Sequence, residues 1–324
     1  MTNPREHLEE LVARITRSDP ELAAELRRRV AGGEDLLKSA TESAADLVEQ
    51  LETRENVVFP FGRPAVEVVF DRMILRLNES DAVLWHTRLT EAQARLEPVV
   101  RAVGRIEMEN HFDLRYAGTG FLLDTDVVVT NFHVARAFAR RLNGKLTFRR
   151  NLGNEEIRTR IDFLEETGNP ADETFRIAEV LYMEEEPDIA LLRVDRVELL
   201  PKQREPVGLP PSLLLSENKV EKDQFVVTIG YPGRDPTARN PDVVARLFGE
   251  NFEKKRLSPG QIKAVTADAL THDCSTLSGS SGSPVVDLAT GRVVGLHVEG
   301  QYDVGNSAIP AARILYALNA VQRT

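Results

Sequence analysis

The chain has 324 residues and a mass of 36.2 kDa, with 42% apolar and 28% charged residues. That is enough to bury a sizeable core, and the length favours two structural units. A formal charge of −10 and a pI near 5.3 argue against nucleic acid as the main partner, because phosphate binding needs a basic footprint. No run of apolar residues is long enough for a helical membrane span, and the opening MTNPREHLEE lacks the apolar stretch of a secretory leader.

The first 56 residues read as helices. Asn3-Pro4 and Asp19-Pro20 each place a capping side chain before a proline suited to a first helical turn. Leu8, Leu11, Val12 and Ile15 form one apolar stripe, Leu22, Leu26 and Val30 a second, and Leu37, Ala40, Ala44, Leu47, Val48 and Leu51 a third. Each has a single apolar face, so each must pack on a neighbour or a partner. Val66 to Phe70 reads as a short strand. Asp81 to Leu96 reads as a helix that Pro98 ends or kinks. From Gly104 the chain becomes β-rich, with GFLLD, VVVTN, KLTFRR, FRIAEVLYM, IALLRVD, QFVVTIGY, IKAVTAD, SPVVDL and RVVGLHV bounded by turn residues. Such a series predicts an all-β sandwich or a pair of barrels. Arg234 to Gly260 reads as a long surface loop with a helical turn near Val243 to Phe248, and Pro310 to Gln322 as a closing helix.

One cysteine, Cys274, excludes an intramolecular disulfide and cysteine-based metal sites, and fits a reducing cytoplasm. Six histidines occur, at positions 7, 86, 111, 133, 272 and 297, and no two share the HExxH spacing. No metal and no other cofactor is expected.

Three segments carry chemistry. A hairpin-like stretch from Gly118 leads through Val127-Val-Val-Thr-Asn-Phe to His133. Asp188 stands at the mouth of the apolar run Ile-Ala-Leu-Leu. Ser281 lies in Ser278-Gly-Ser-Ser-Gly-Ser-Pro, a glycine-flanked turn that enters a strand. A serine hydroxyl is a poor nucleophile at neutral pH and needs a base, for which histidine has a suitable pKa. The imidazole in turn needs a carboxylate to fix its tautomer and stabilise its cation. The developing oxyanion needs fixed backbone N–H donors, which a glycine turn can aim. The order His133, Asp188, Ser281 rules out the α/β-hydrolase and subtilisin arrangements, and position 283 is Ser where the hydrolase elbow needs glycine.

TNFHVA, DIALLRV and GSSGSPV together resemble the catalytic blocks of chymotrypsin-like (trypsin-fold) serine peptidases. The likeness is to the bacterial branch of glutamyl endopeptidases and HtrA-type proteases, to which GRVVGLHVEG and NSAIP are also similar. It spans about Arg105 to Leu318. It implies a mostly β fold of two six-stranded barrels with the site in the cleft between them and a C-terminal helix, to which the helices read in residues 1–56 add an α-helical N-terminal extension. The chain then divides into a helical extension (1–56), a connecting strand and helix packed on the protease (57–104) and the protease domain (105–324). The resemblance implies His133 as general base and acid, Asp188 as its orienting group, Ser281 as nucleophile, and the N–H groups of Gly279 and Ser281 as the oxyanion hole. Ser280 replaces the acid or amide common before the nucleophile, so activation by a freed N-terminus is not expected. Nor is a full HtrA-type architecture, because no PDZ-like segment follows.

Specificity is read from the same resemblance. Ser275 stands where trypsin-type relatives set the floor of the primary (P1) pocket, which argues against Arg or Lys at P1. Thr276 and His297 match the positions that recognise an acidic side chain in glutamyl endopeptidases. A small or apolar P1 residue stays open. Cys274 reads as a rival nucleophile or, more simply, a buried core residue. Lys254-Lys255-Arg256 reads as a solvated loop or a substrate gate. The expected activity is that of a cytoplasmic serine endopeptidase acting on protein or peptide, with a regulatory partner for residues 1–56. The alternative is a latent or inactive protease-fold scaffold.

Overall fold

The computed structural model describes residues 62–323, apart from Phe112, Leu152, Asp172 and positions 198–207, 235–240 and 302–304. The helices read within 1–56 lie outside the described residues. In chain order the elements begin with β1 (Val66–Val69), β2 (Arg72–Ile74) and α1 (Glu79–Arg101). The first β-rich half follows, with β3 (Val103–Glu109), β4 (Tyr116–Asp124), β5 (Val127–Thr130), α2 (Phe132–Ala135), β6 (Ala139–Leu142), β7 (Lys145–Phe148), β8 (Arg158–Asp162), β9 (Thr174–Glu184) and β10 (Ile189–Val194). The second half comprises β11 (Phe225–Gly230), α3 (Pro241–Phe248), β12 (Arg256–Val265), β13 (Leu270–His272), β14 (Pro284–Asp287), β15 (Val293–Gln301), β16 (Gly305–Pro310) and α4 (Ala311–Gln322).

Strands β10-β5-β4-β3-β8-β9 close into an antiparallel barrel. Ile106, Val128, Ile161, Phe175 and Leu192 share one face of its wall by register, Phe121, Val129 and Leu191 share the other, and all eight are fully buried. Gly120 lets two strands approach, since a Cβ there would lie 2.8 Å from Val128 Cγ1. The second sheet runs β11-β14-β15-β16-β13-β12, and a further β11–β12 pairing closes it into a second six-stranded ring. Strands β1 and β2 extend that sheet outward from β12, with Val66 opposite Leu257. The mostly β, two-barrel architecture with a C-terminal helix is therefore present. No described helix is long and apolar enough to cross a membrane.

Helix α1 starts at Asn78, whose side chain accepts the Asp81 N–H at 2.9 Å. Its apolar face carries Trp85, Leu89 and Leu96, all fully buried, and Trp85 meets Phe225 edge-on at 5.7 Å. Pro98 does not end the helix, which continues to Arg101. The buried Val99 and Val100 anchor its last turn, and that packing outweighs the backbone hydrogen bond that proline removes.

The expected loop from Arg234 to Gly260 is shorter than the sequence suggested. Its last five residues, Arg256-Leu-Ser-Pro-Gly, are buried in β12, paired with β11. Their polar composition concealed a strand because the polar groups find partners inside the protein. Arg256 donates to the Phe248 carbonyl at 2.8 Å. Lys255 is fully buried, and its Nζ lies 2.6 Å from the Phe163 carbonyl and 3.1 Å from Glu166 Oε1. The other oxygen of Glu166 accepts the Asp71 N–H at 3.0 Å. Lys255 is thus neither a solvated loop residue nor part of a substrate gate. It ties the second barrel to the first barrel and to the β1–β2 turn. Lys255→Ala is expected to destabilise the protein by about 3–5 kcal/mol, because it strands a buried carboxylate. The double change Lys255→Met with Glu166→Leu should recover more than half of that loss in urea unfolding, since it removes both charges.

Candidate active site

The two barrels face one another across a cleft of about 340 Å³. The first barrel contributes Tyr116, Phe132, His133 and Asp188, and the second contributes Thr276 to Gly279, Ser281 and His297 to Gly300. His133 sits on α2, the single helical turn that follows β5. Its Nδ1 lies 2.9 Å from Asp188 Oδ2, and its backbone N–H donates to Asp188 Oδ1 at 3.0 Å. One carboxylate therefore fixes both the imidazole and the start of the turn that bears it. Asp188 has a left-handed backbone, φ +64°, directly before β10, a conformation that Asp tolerates better than most residues. Asn131 holds the Asp188 carbonyl from the side at 3.2 Å.

Ser281 lies in the turn between β13 and β14. Its hydroxyl donates to the Val298 carbonyl of β15 at 2.8 Å. Gly279 and Gly282 have φ values of +88° and +90°. A Cβ at Gly279 would lie 2.5 Å from the Tyr231 carbonyl, and one at Gly282 1.9 Å from that of Thr119. Both positions require glycine, and the turn they shape points the Ser281 side chain into the cleft. Among the described residues, neither the Gly279 nor the Ser281 N–H is paired with a backbone acceptor. They are the groups that a negatively charged oxygen at this position could use.

Thr119 had no role in the sequence reading, although it stands in the Gly118-Thr-Gly block. It is fully buried, and it joins the barrels at the nucleophile turn. Its N–H donates to the Ser281 carbonyl at 2.9 Å, and its hydroxyl donates to the Gly279 carbonyl at 2.8 Å. Its own carbonyl accepts the Thr130 hydroxyl at 2.7 Å. A threonine between two glycines in the strand leading to the histidine block was the available signal.

The specificity candidates separate. His297 is 2% exposed, lines the cleft, and lies 3.2 Å from the Nε2 of His272 through its Nδ1. Burial pushes His272 down to about 3. Burial, then His272 and His133, hold His297 well below the usual histidine range, so both rings are neutral near pH 7. Thr276 lines the cleft too, but its hydroxyl donates to Asn306 Oδ1 at 2.7 Å. Ser275 is not among the cleft-lining residues. It is 1% exposed, and its hydroxyl turns back to the Arg63 carbonyl at 2.8 Å. Cys274 is fully buried, and its thiol is pushed up by burial and then by Asp273, which makes it a core residue and a poor nucleophile. Away from the cleft, Glu107, Asp162 and Glu165 gather as possible metal ligands. Arg105 and Arg160 already pair with Glu107 and Lys254 with Glu165, and Asp162 accepts the Leu164 and Glu173 N–H groups.

Paired six-stranded barrels with a histidine, an aspartate and a serine meeting in the cleft between them define the chymotrypsin-like class of serine endopeptidases. The chain belongs to the family of trypsin-like peptidase domains, whose model matches residues 118–296, more than half of its length. A probable serine protease of Lysobacter enzymogenes is 30% identical over 264 residues, covering 73% of this chain and 67% of that protein. A serine protease of Mycobacterium tuberculosis is 25% identical over 286 residues, 87% of this chain, and the chain spans 58% of that relative's length. The solved serine endoprotease of Yersinia pestis superposes with a TM-score of 0.47 at 18% identity, over 71% of this chain and 65% of that one.

Proposed function

We propose that the chain cleaves protein substrates through an acyl-enzyme on Ser281 and prefers an acidic residue at P1. The observation that carries the catalytic reading is the double hold of Asp188 on His133, on the cleft wall opposite the Ser281 turn. In this reading a substrate strand takes the Val298 carbonyl, and the Ser281 hydroxyl is freed to give its proton to His133 Nε2. Oγ attacks the scissile carbonyl, and the Gly279 and Ser281 N–H groups hold the oxyanion. The imidazolium, steadied by Asp188, then protonates the leaving amine, and water repeats the cycle on the ester.

The acidic preference draws support from His297, a neutral imidazole at the cleft wall backed by a second one. A bound P1 carboxylate would supply the charge that lets His297 take up a proton. His297→Leu is therefore expected to lower kcat/KM for a glutamyl substrate by about 100-fold while leaving a leucyl substrate within a few-fold. Proton uptake on binding also means that glutamyl cleavage by the parent falls as pH rises, relative to the matched glutaminyl substrate. A P1 library in which Glu and Asp fare no better than Leu or Ala would overturn the preference.

We further propose that residues 1–56 dock a regulatory protein and that the protein works in the cytoplasm. Deleting those residues should change the peptidase rate. Failure of Ser281 to react with a fluorophosphonate would favour the reading as a latent or inactive scaffold.

A further inference from the structure

The wall of the primary pocket leaves the second barrel at the end of β13, His272, and rejoins it at Pro284 in β14. Between those points the backbone belongs to no named strand and keeps only scattered backbone pairings, such as the Asp273 N–H with the Gln261 carbonyl of β12 at 3.1 Å, so side chains supply much of its support. Thr276 and Ser278 line the cleft. Asp273, Ser275 and Leu277 all engage a segment more than two hundred positions earlier in the chain. The Arg63 guanidinium lies 2.5 Å from Asp273 Oδ2 and 3.2 Å from Gln261 Oε1. Ser275 Oγ donates to the Arg63 carbonyl. Ala65 packs with Leu277 and with Val244 and Phe248 of α3 in one buried apolar cluster.

The segment is itself anchored. Trp85 Nε1 donates to the Gly62 carbonyl at 2.8 Å, the Gly62 N–H donates to Asp81 Oδ1 at 2.9 Å, and the Arg63 guanidinium stands over the Trp85 ring at 5.7 Å. Three residues after Arg63 the chain enters β1 and pairs with β12.

We infer that Gly62–Ala65 is a strut behind the primary pocket and that Arg63 is a positioning residue for substrate selection. It touches no substrate. Through Asp273 and Ser275 it sets the line of the wall on which Thr276, Leu277 and Ser278 stand. Asn306 of β16 holds the same wall at the Cys274 carbonyl and the Thr276 hydroxyl, and the Arg63–Asp273 ion pair, at 13% and 9% side-chain exposure and fixed further by Gln261, adds a directional hold at Asp273 that the more exposed Lys263, 3.6 Å away, does not duplicate. Displacing a substrate-positioning wall by about 1 Å can lower kcat/KM on the order of 100-fold without disturbing the reacting groups. The inference rests on the peptidase reading of the cleft, and it does not depend on which side chain the pocket prefers.

The test compares the full-length parent with Arg63→Gln, Arg63→Lys and the milder Ser275→Ala. Three readouts are needed: kcat and KM for the best P1 substrate, the same for a P1 glycine substrate that leaves the pocket empty, and the labelling rate with a small alkyl fluorophosphonate. Arg63→Gln is expected to reduce the preference for the best P1 residue over glycine by about 10- to 100-fold, mostly through KM, with labelling within about threefold of the parent. Arg63→Lys, which can keep the pairing with Asp273, should recover part of that preference, and Ser275→Ala should lower it by a smaller factor. Unchanged P1 preference in Arg63→Gln and Ser275→Ala would overturn the inference. So would a parallel fall of both substrates, labelling and Tm, because that is the signature of general packing. A parent that neither labels nor cleaves would instead sink the peptidase reading itself.

Discussion

Ser281→Ala is expected to lower kcat for a peptide substrate by about 10⁶-fold, with little change in KM and complete loss of fluorophosphonate labelling. The size follows from the cooperation of the parts. Without Oγ there is nothing for His133 to deprotonate, so the imidazole and its carboxylate lose their function together with the serine. The Gly279 and Ser281 N–H groups survive the substitution, because the turn is shaped by the positive φ of Gly279 and Gly282 and by the Thr119 hydrogen bonds. They can still polarise a bound carbonyl for attack by water, which leaves a residual rate of about 10³–10⁴ over the uncatalysed reaction. The fold should barely notice, since the hydrogen bond removed among the described residues is the hydroxyl's bond to the Val298 carbonyl, worth about 1 kcal/mol. Active-site titration and single-turnover kinetics check the effect. A variant that kept a substantial fraction of parental turnover would show that another group is the nucleophile, and Cys274, sealed in the core, is not placed to be one.

The sequence made the barrels and the three blocks that meet in the cleft legible for a physical reason. Each block is local: a strand end and a turn carry His133, a strand mouth carries Asp188, and a glycine turn carries Ser281. Short apolar runs bounded by turn residues mark strands wherever the apolar face is continuous. Legibility failed where partners are remote or where polarity is satisfied internally. Nothing near Arg63 announces Asp273, and nothing near His272 announces His297, because those pairings exist only once the second barrel has closed. Ser275 was read by position as a pocket residue, yet the alternation of the wall turns it toward Arg63. Lys255 and Arg256 looked solvated because charge is a good predictor of exposure on average, and that average breaks down when Glu166, Phe163 and Phe248 supply buried partners. Local propensity reads Pro98 as an end or a kink, whereas two buried valines beyond it keep the helix going to Arg101.

Asp188→Asn is expected to lower kcat by about 10⁴-fold while leaving the geometry almost unchanged. The reason lies in how the two carboxylate oxygens are used. Oδ1 accepts the His133 backbone N–H, and Oδ2 faces His133 Nδ1. An asparagine keeps its single oxygen where the fixed backbone donor demands an acceptor, which directs its NH₂ at Nδ1. Nδ1 must then accept, so the ring proton moves to Nε2, and Nε2 is the atom that has to receive the Ser281 proton. The base is thereby locked in the tautomer that cannot act as one. Nitrogen NMR of the His133 ring should show the proton on Nε2 in the variant and on Nδ1 in the parent. Asp188→Ala offers the contrasting case. It removes the orienting group without imposing the wrong tautomer, so the ring should populate both forms and the NMR signature should be mixed. If Asp188→Asn instead retained the parental tautomer and rate, the carboxylate would be dispensable to His133, and the aspartate's place in the mechanism would have to be given up.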